Sequence, residues 1–305
     1  MQKQSTRKRN TNATTTTLVG VRLGDDRKID KTKSPDVIDK IRVLKIMNGV
    51  AFVIHIISFI VALVLSIINE DKSLSTEVTT DFINPANGSN VVGVQSLGFY
   101  KIIWVDLPFP LITAIFHLII AFVPTVNSYY NNQVFNAESN PLRWLEYAIT
   151  ASLMTYVILQ LSGVTNLFLL LLVGVVCNVI LQAQGYLMEK YNPPLAKANN
   201  NVDWWPTLIG WIIFVFQWVV IWVYFSVTVS NVGSAPGYVW AIIFGLFFQF
   251  SLFGLVQLLH YLPYQNFLSS IYAVEIAYIT LSLTSKLFLT WTLQLGIIIN
   301  PSDST

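Results

Sequence analysis

Lys286 lies deep inside an apolar stretch, Ser269–Leu295, and this position needs a chemical explanation. The stretch is longer than the ~20 apolar residues that cross a bilayer as a helix. A charged lysine at the centre of a membrane helix costs ~2.5–3.5 kcal/mol, and from the middle of a span its side chain cannot reach surface water. The sequence therefore leaves two interpretations: an ion pair inside a helix bundle, or a Schiff base between the lysine amine and a carbonyl ligand.

Glu146 is the acidic residue best placed to neutralise Lys286. The segment Asn140–Met154, NPLRWLEYAITASLM, starts with a plausible N-cap and a proline at the first helical position. Arg143, Glu146 and Thr150 are spaced i, i+3, i+7 and therefore share one helix face. A carboxylate this deep in a bilayer favours a cationic partner. A rise of 1.5 Å per residue leaves Glu146 and Lys286 ~5 Å apart in depth, so we expect them to meet.

Ser282 and Glu275 lie on the same stripe of the last span, four and eleven residues before Lys286. Ser282 is expected to hydrogen-bond the lysine nitrogen or to bond back to its own helix. Glu275 lies at the same depth as Arg143, so an ion pair at the membrane interface is the simpler interpretation. A role of Glu275 in a proton path is the more specific one. Arg143 taken alone is equally consistent with a side chain that reaches out to the interface.

His55 and His117 lie near the middle of the first two spans. Because consecutive spans run antiparallel, the two imidazoles fall at a similar depth. One such histidine often only hydrogen-bonds a neighbouring helix, whereas two at one depth favour a proton-holding site. The sequence shows no third ligand, so we predict no metal site.

The composition is that of a membrane protein. Of the 305 residues, 54% are hydrophobic and only 11% are charged, and the mean hydropathy is +0.58. A soluble chain of this length carries nearer 25% charged residues, so a soluble domain is excluded. The single cysteine, Cys177, excludes an intrachain disulfide. We predict lipid and a small ligand as partners, and no nucleic acid.

The chain is predicted to be an all-α bundle of seven transmembrane helices. A basic, disordered tail over residues 1–42 is expected to precede the bundle of residues 43–299 and a short C-terminus of residues 300–305. The turn SGVTN separates the third and fourth spans, since their combined length is too great for one crossing. The predicted spans are Ile46–Ile68, Leu107–Val126, Leu142–Leu161, Leu167–Leu187, Leu208–Val229, Val239–Leu262 and Ile271–Leu295.

The distribution of basic residues predicts the orientation. Twelve of the 18 lysines and arginines precede the first span, and Arg143, Lys190 and Lys197 lie on the same side. Only Lys72 and Lys101 lie on the opposite side. The positive-inside rule then places the N-terminus in the cytoplasm and, with seven spans, the C-terminus outside a plasma or host-cell membrane.

The first outer loop, residues 69–106, is long and rich in β-branched residues. Its segments TEVTTDF and NVVGV predict a β-hairpin around Asn84–Asn90. Asn87 begins a glycosylation sequon on the predicted outer face. The fifth and sixth spans are dense in aromatic side chains, which face lipid or form walls for a flat apolar ligand.

This combination of seven spans, a lysine in the last, a carboxylate in RWLEY and an inverted orientation resembles the heliorhodopsin family. The similarity covers roughly residues 40–299 and is most specific in Arg143–Met154 and Leu281–Lys286. The resemblance implies that Lys286 binds all-trans retinal as a protonated Schiff base and that Glu146 is the counterion.

The resemblance also assigns roles around this pair. Ser282, Tyr147 and Thr150 would lie against the chromophore. The polar network would comprise His55, His117, Arg143 and Glu275, with the two histidines matching a pair in the first two helices of the family. The outer hairpin and the helices would form a homodimer, and a cytoplasmic signalling partner would be required.

The function expected from this resemblance is light sensing rather than enzymatic catalysis. Val157 lies eleven residues after Glu146, where proton-pumping rhodopsins carry a reprotonating acid, so efficient pumping is disfavoured. A second hypothesis is a light-gated proton conductance, with Glu275, Glu189 and the histidines as carriers. A third is a receptor or scaffold without a chromophore.

Overall fold

The computed structural model describes residues 30–85, 91–263 and 266–300. The elements below belong to one compact unit, Lys31–Thr305. Across those described ranges seven long helices follow one another: α1 (Pro35–Ile68), α2 (Pro108–Phe122), α3 (Pro141–Leu161), α4 (Leu167–Tyr191), α5 (Trp205–Val232), α6 (Gly237–Tyr261) and α7 (Ile271–Ile299). The predicted tail lies mostly outside the described residues, as does the C-terminus beyond Asn300.

Six helices in the described part of the chain are long and apolar enough to cross a membrane, namely α1, α2 with its preceding turn, α4, α5, α6 and α7. The helix that does not meet this criterion is α3, which was predicted as the third span. It has 21 residues, about 31 Å of helix, but it carries Arg143 and Glu146 and several buried polar side chains. Its polar face is turned into the protein, so the count of seven crossings stays a prediction.

α2 ends earlier than the predicted span, which ran to Val126. Val123 adopts an extended conformation, with φ −88° and ψ 111°, because the residue before a proline is disfavoured in a helix. The chain resumes as a short helix, Pro124–Asn132, and a π-helical turn, Gln133–Ala137. α1, in contrast, starts at Pro35, well before the predicted Ile46, and packs against α2 and α7.

The predicted β-hairpin is confirmed and connects α1 to α2. Strands β1 (Ser75–Asn84) and β2 (Val91–Lys101) pair antiparallel, with Ser75 opposite Lys101 and a register shift after Val78. The centre of its turn, including Asn87, lies outside the described residues. Thr79 contacts the turn between α3 and α4, where its hydroxyl lies 3.1 Å from that of Thr165. We call this end of the bundle the hairpin end, and the opposite end the Arg143 end.

α4 contains a π-helical turn, Leu170–Val176, that widens the helix by one residue. The amide of Gln217 on α5 donates a 2.7 Å hydrogen bond to the Val173 carbonyl within this turn. Beyond the turn, Gly185 lies directly against the Trp144 ring of α3, where a Cβ atom would collide with that ring.

Candidate functional site

Lys286 and Glu146 form a buried ion pair at the centre of the bundle. The lysine Nζ lies 2.5 Å from Glu146 Oε1, and the two side chains are 3% and 7% exposed. Ser282 Oγ lies 2.7 Å from the same nitrogen, and the Tyr147 ring centre lies 5.1 Å from it. The lysine nitrogen is therefore surrounded by one anion, one hydroxyl and one aromatic face.

Two threonines contact the same Glu146 oxygen as the lysine. Thr113 on α2 donates a 2.6 Å hydrogen bond to Oε1, and Thr150 on α3 lies 3.2 Å from the same oxygen. Hydrogen bonds to an ionised acceptor are short and strong, so these contacts fix the carboxylate beside the lysine. Sequence reasoning named Thr150 but missed Thr113, because a threonine in an apolar span gives no signal by its spacing.

His55 and His117 stack against each other between α1 and α2. Their ring centres are 5.9 Å apart and the ring planes differ by 8°. His117 Nδ1 lies 2.7 Å from Asn48 Oδ1, whereas the other ring nitrogen of His117 and both nitrogens of His55 have no hydrogen-bond partner in the described ranges. The structure thus brings the two predicted histidines together and leaves three nitrogen atoms available for protons or hydrogen bonds.

Arg143 lies between two buried carboxylates at the Arg143 end. Its guanidinium contacts Glu275 on α7 and Glu189 on α4, and all three residues are at most 5% exposed. The expected pair of Arg143 with Glu275 is present, and it is buried inside the protein. The Tyr278 ring covers the guanidinium, with its centre 4.1 Å from Cζ. A planar guanidinium suits such a site because it can contact two carboxylates at once.

Neighbouring polar groups complete this cluster. Tyr130 and the Asn140 side-chain amide donate to Glu275, at 3.0 and 2.9 Å, and the Asn140 backbone N–H donates to Glu189 at 2.8 Å. Asn140 Oδ1 also accepts from the Arg143 backbone N–H, the capping bond expected at the start of α3. Sequence reasoning named Glu189 only as a carrier in the alternative function, because nothing in its local spacing indicates a contact with α3.

A cavity of about 840 Å³, which includes the space at its open mouth, begins at Lys286 and extends between α3, α4, α5 and α6. Its walls are mainly apolar and include six aromatic side chains: Trp144, Tyr147, Trp211, Phe214, Phe250 and Phe253. Gly254 permits the close approach of Trp211, since a Cβ atom there would lie 2.8 Å from the indole ring. Such a volume and lining suit a flat apolar ligand.

A second, smaller cavity has a polar lining and joins the two charged clusters. It touches His117, Glu146, Arg143, Glu275 and Ser282. Polar side chains therefore border this cavity from His117 to the Arg143 end.

The fold is that of a rhodopsin. A crystal structure of thermophilic rhodopsin superposes with a TM-score of 0.58 at 12% sequence identity, over 86% of this chain and 95% of that chain. The heliorhodopsin family profile matches residues 44–298, and the chain therefore belongs to the heliorhodopsin family. It is thus an integral, multi-pass membrane protein of a retinal-binding class of microbial rhodopsins. No curated protein matches the chain.

Arg143→Gln should destabilise the protein strongly, because it leaves two carboxylates buried without their cation. We expect the free energy of unfolding to fall by about 3–5 kcal/mol, measured by thermal denaturation of the purified protein in detergent. Arg42→Gln is the matched control, since Arg42 forms an exposed pair with Asp39 and its loss should cost less than about 1 kcal/mol. Equal stability of the two variants would contradict a structural role for the cluster.

Proposed function

We propose that this protein is a light sensor in which Lys286 carries all-trans retinal as a Schiff base and Glu146 is the counterion. The observation that supports this most directly is the 2.5 Å contact between Lys286 Nζ and Glu146 at the inner end of an aromatic cavity. The carboxylate beside the buried lysine nitrogen can neutralise the positive charge that this nitrogen would carry when retinal is bound.

The residues present fit retinal. The ligand is a long, flat polyene with a terminal aldehyde, and the cavity combines aromatic side chains with one reactive amine, that of Lys286, in its lining. Trp211, Phe214 and Phe250 would enclose the apolar part, while Tyr147 would pack beside the lysine end. When bound, retinal supplies visible absorption and isomerises on illumination.

The protein's own groups control the proton at the lysine nitrogen. Glu146 attracts that proton, and Thr113 and Ser282 hold the acceptor and the nitrogen in place. A transfer of the proton to Glu146 removes both charges of the pair. Because the pair connects α3 to α7, its loss favours a second arrangement of the helices, which a cytoplasmic partner would recognise.

The same residues disfavour efficient pumping. Val157 on α3 is fully buried and cannot supply a proton, and Ser282 occupies the position at which pumps carry a second aspartate. We therefore propose a slow photocycle without net transport.

The proposed topology has seven crossings, with the N-terminus in the cytoplasm and the hairpin outside. α3 would also cross the membrane, in addition to the six helices that meet the length and hydropathy criterion, with its neighbours around it. A homodimer would form through the hairpin and adjoining helices, since β1 and β2 expose Ile83, Val92, Val94 and Phe99, each at least 65% exposed.

Lys286→Ala should abolish the visible pigment that forms when the protein is expressed or incubated with all-trans retinal. Lys190→Ala, which removes an exposed lysine, should leave the absorption spectrum unchanged. Because Lys286→Ala leaves Glu146 unpaired, the double variant Lys286→Ala/Glu146→Gln tests the same point without a buried charge. A visible band in either Lys286 variant would refute the assignment.

Glu146→Gln should shift the visible band to longer wavelength, because the positive charge on the nitrogen loses its anion. The band should also disappear at a lower pH than in the unsubstituted protein. Absorption spectra titrated with pH measure both effects, with Glu77→Gln on the hairpin as control. An unchanged spectrum and titration would exclude Glu146 as counterion.

The alternative is a light-gated proton conductance, which the polar cavity between His117 and Glu275 favours. Voltage-clamped cells that express the protein with retinal separate the two functions. We expect no light-evoked current at any voltage or pH gradient. A current that reverses with the proton gradient and is reduced in Glu275→Gln would establish the conductance instead.

A further inference from the structure

Asp106 is a buried acid that the site described above does not use. It lies just before α2 at the hairpin end and is fully buried. No lysine, arginine or histidine nitrogen lies within 4 Å of it in the part of the chain that the structure describes. Its side-chain contacts are with the Gln294 amide on α7, whose Nε2 lies 3.2 and 3.3 Å from the two carboxylate oxygens. An ionised carboxylate in such a position is costly, whereas a neutral carboxylic acid is not.

The charged groups of the neighbouring elements bond elsewhere. Lys101 donates to the Ser73 carbonyl, Lys72 donates to the Asn69 side chain, and Glu70 accepts from the Trp104 indole. The faces that α1 and α7 turn toward Asp106 carry Ser66 and Gln294, which are uncharged. α2 carries one titratable side chain, His117 of the Lys286 site. On α3, Tyr156 lies toward the hairpin end, where its ring contacts that of Tyr100, and Glu146 belongs to the Lys286 site.

Gln294 is suited to both protonation states of Asp106. Its Nε2 has two hydrogens but three acceptors within 3.3 Å, namely Ser66 Oγ and both Asp106 oxygens, while its Oε1 has no partner. In this orientation the amide donates to a carboxylate. With the amide rotated, the free Oε1 accepts from a protonated carboxyl.

A polar stripe on α7 leads from Gln294 to Lys286. Ser282, Lys286, Thr290 and Gln294 are spaced by four residues and therefore lie on one helix face. Thr290 lies about 6 Å along the axis from each of its two neighbours, is fully buried, and its Oγ1 has no hydrogen-bond partner in the described chain. Glu146 and Ser282 thus lie on one side of the lysine nitrogen, and Thr290, Gln294 and Asp106 on the other.

We propose that Asp106 is a second proton-binding site, which exchanges a proton with the nitrogen of Lys286 along Thr290 and Gln294. The proton leaves a carboxyl oxygen of Asp106 and arrives at the lysine nitrogen. The carboxylate that remains accepts from Gln294 Nε2, and it regains a proton along the same stripe when the lysine nitrogen takes back the proton held by Glu146. This proposal rests on the proposed function. Asp106, just before α2, would supply the acid that α3 lacks at Val157. Because each proton returns along the path by which it left, this exchange gives no net current.

The protonation state can be measured in the protein without retinal. Labelling with carbon-13 aspartate should shift an infrared carbonyl band of a neutral carboxylic acid at neutral pH. That band should be absent in Asp106→Asn and present in Asp71→Asn, which removes an exposed acid at the same end. No such band in the unsubstituted protein would overturn the proposal. This result is independent of retinal, so it separates a failure of this site from a failure of the proposed function.

The coupling to Lys286 is tested in the pigment by flash photolysis. After illumination, Asp106→Asn and Thr290→Val should slow the return of the dark absorbance by about 100-fold, while Asp106→Glu should restore it in large part. Thr284→Val, on the exposed face of α7, is the control and should leave the rate unchanged. The Asp106 infrared band should also bleach and recover with the flash. An unchanged recovery in both variants, or a band that does not respond to light, would make Asp106 a structural acid and overturn the proposed exchange.

Discussion

The buried contact between Lys286 and Glu146 constrains the whole centre of the bundle. Two charges removed from water attract each other strongly in a medium of low polarity, but either one alone is costly. The pair therefore requires α3 and α7 to hold a fixed depth and rotation relative to each other. Thr113 adds α2 to this constraint through its bond to Glu146.

The protein interior separates its ionisable groups into three levels. The Arg143 end holds one guanidinium and two carboxylates, so its charges balance only if a further proton is bound within the cluster. The centre holds one ammonium and one carboxylate. The hairpin end holds Asp106, which has amide and hydroxyl neighbours but no cation among the described residues.

Much of the fold was accessible from the sequence, because apolar runs of about 20 residues and one lysine inside such a run are strong signals. Glu146 followed from helical spacing on α3. The burial of Asp106 could not be predicted in this way, because Asp106 lies at the junction of a loop and a span. Its burial depends on Gln294, which is 188 residues away in the chain. Pro124 indicates the helix end at Val123. The hydrophobic residues continue past this position, so the predicted span ran too far, to Val126.

The π-helical turn Leu170–Val176 acts on everything that follows it in α4. An extra residue in one turn advances the rest of a helix by about 100°. Removal of a single residue there would restore a regular helix, and Gly185 would turn away from Trp144. Glu189 would turn away from Arg143 at the same time. The extra residue in this turn therefore sets which side chains of α4 face α3. As a result, the same helix lines the cavity and contacts Arg143.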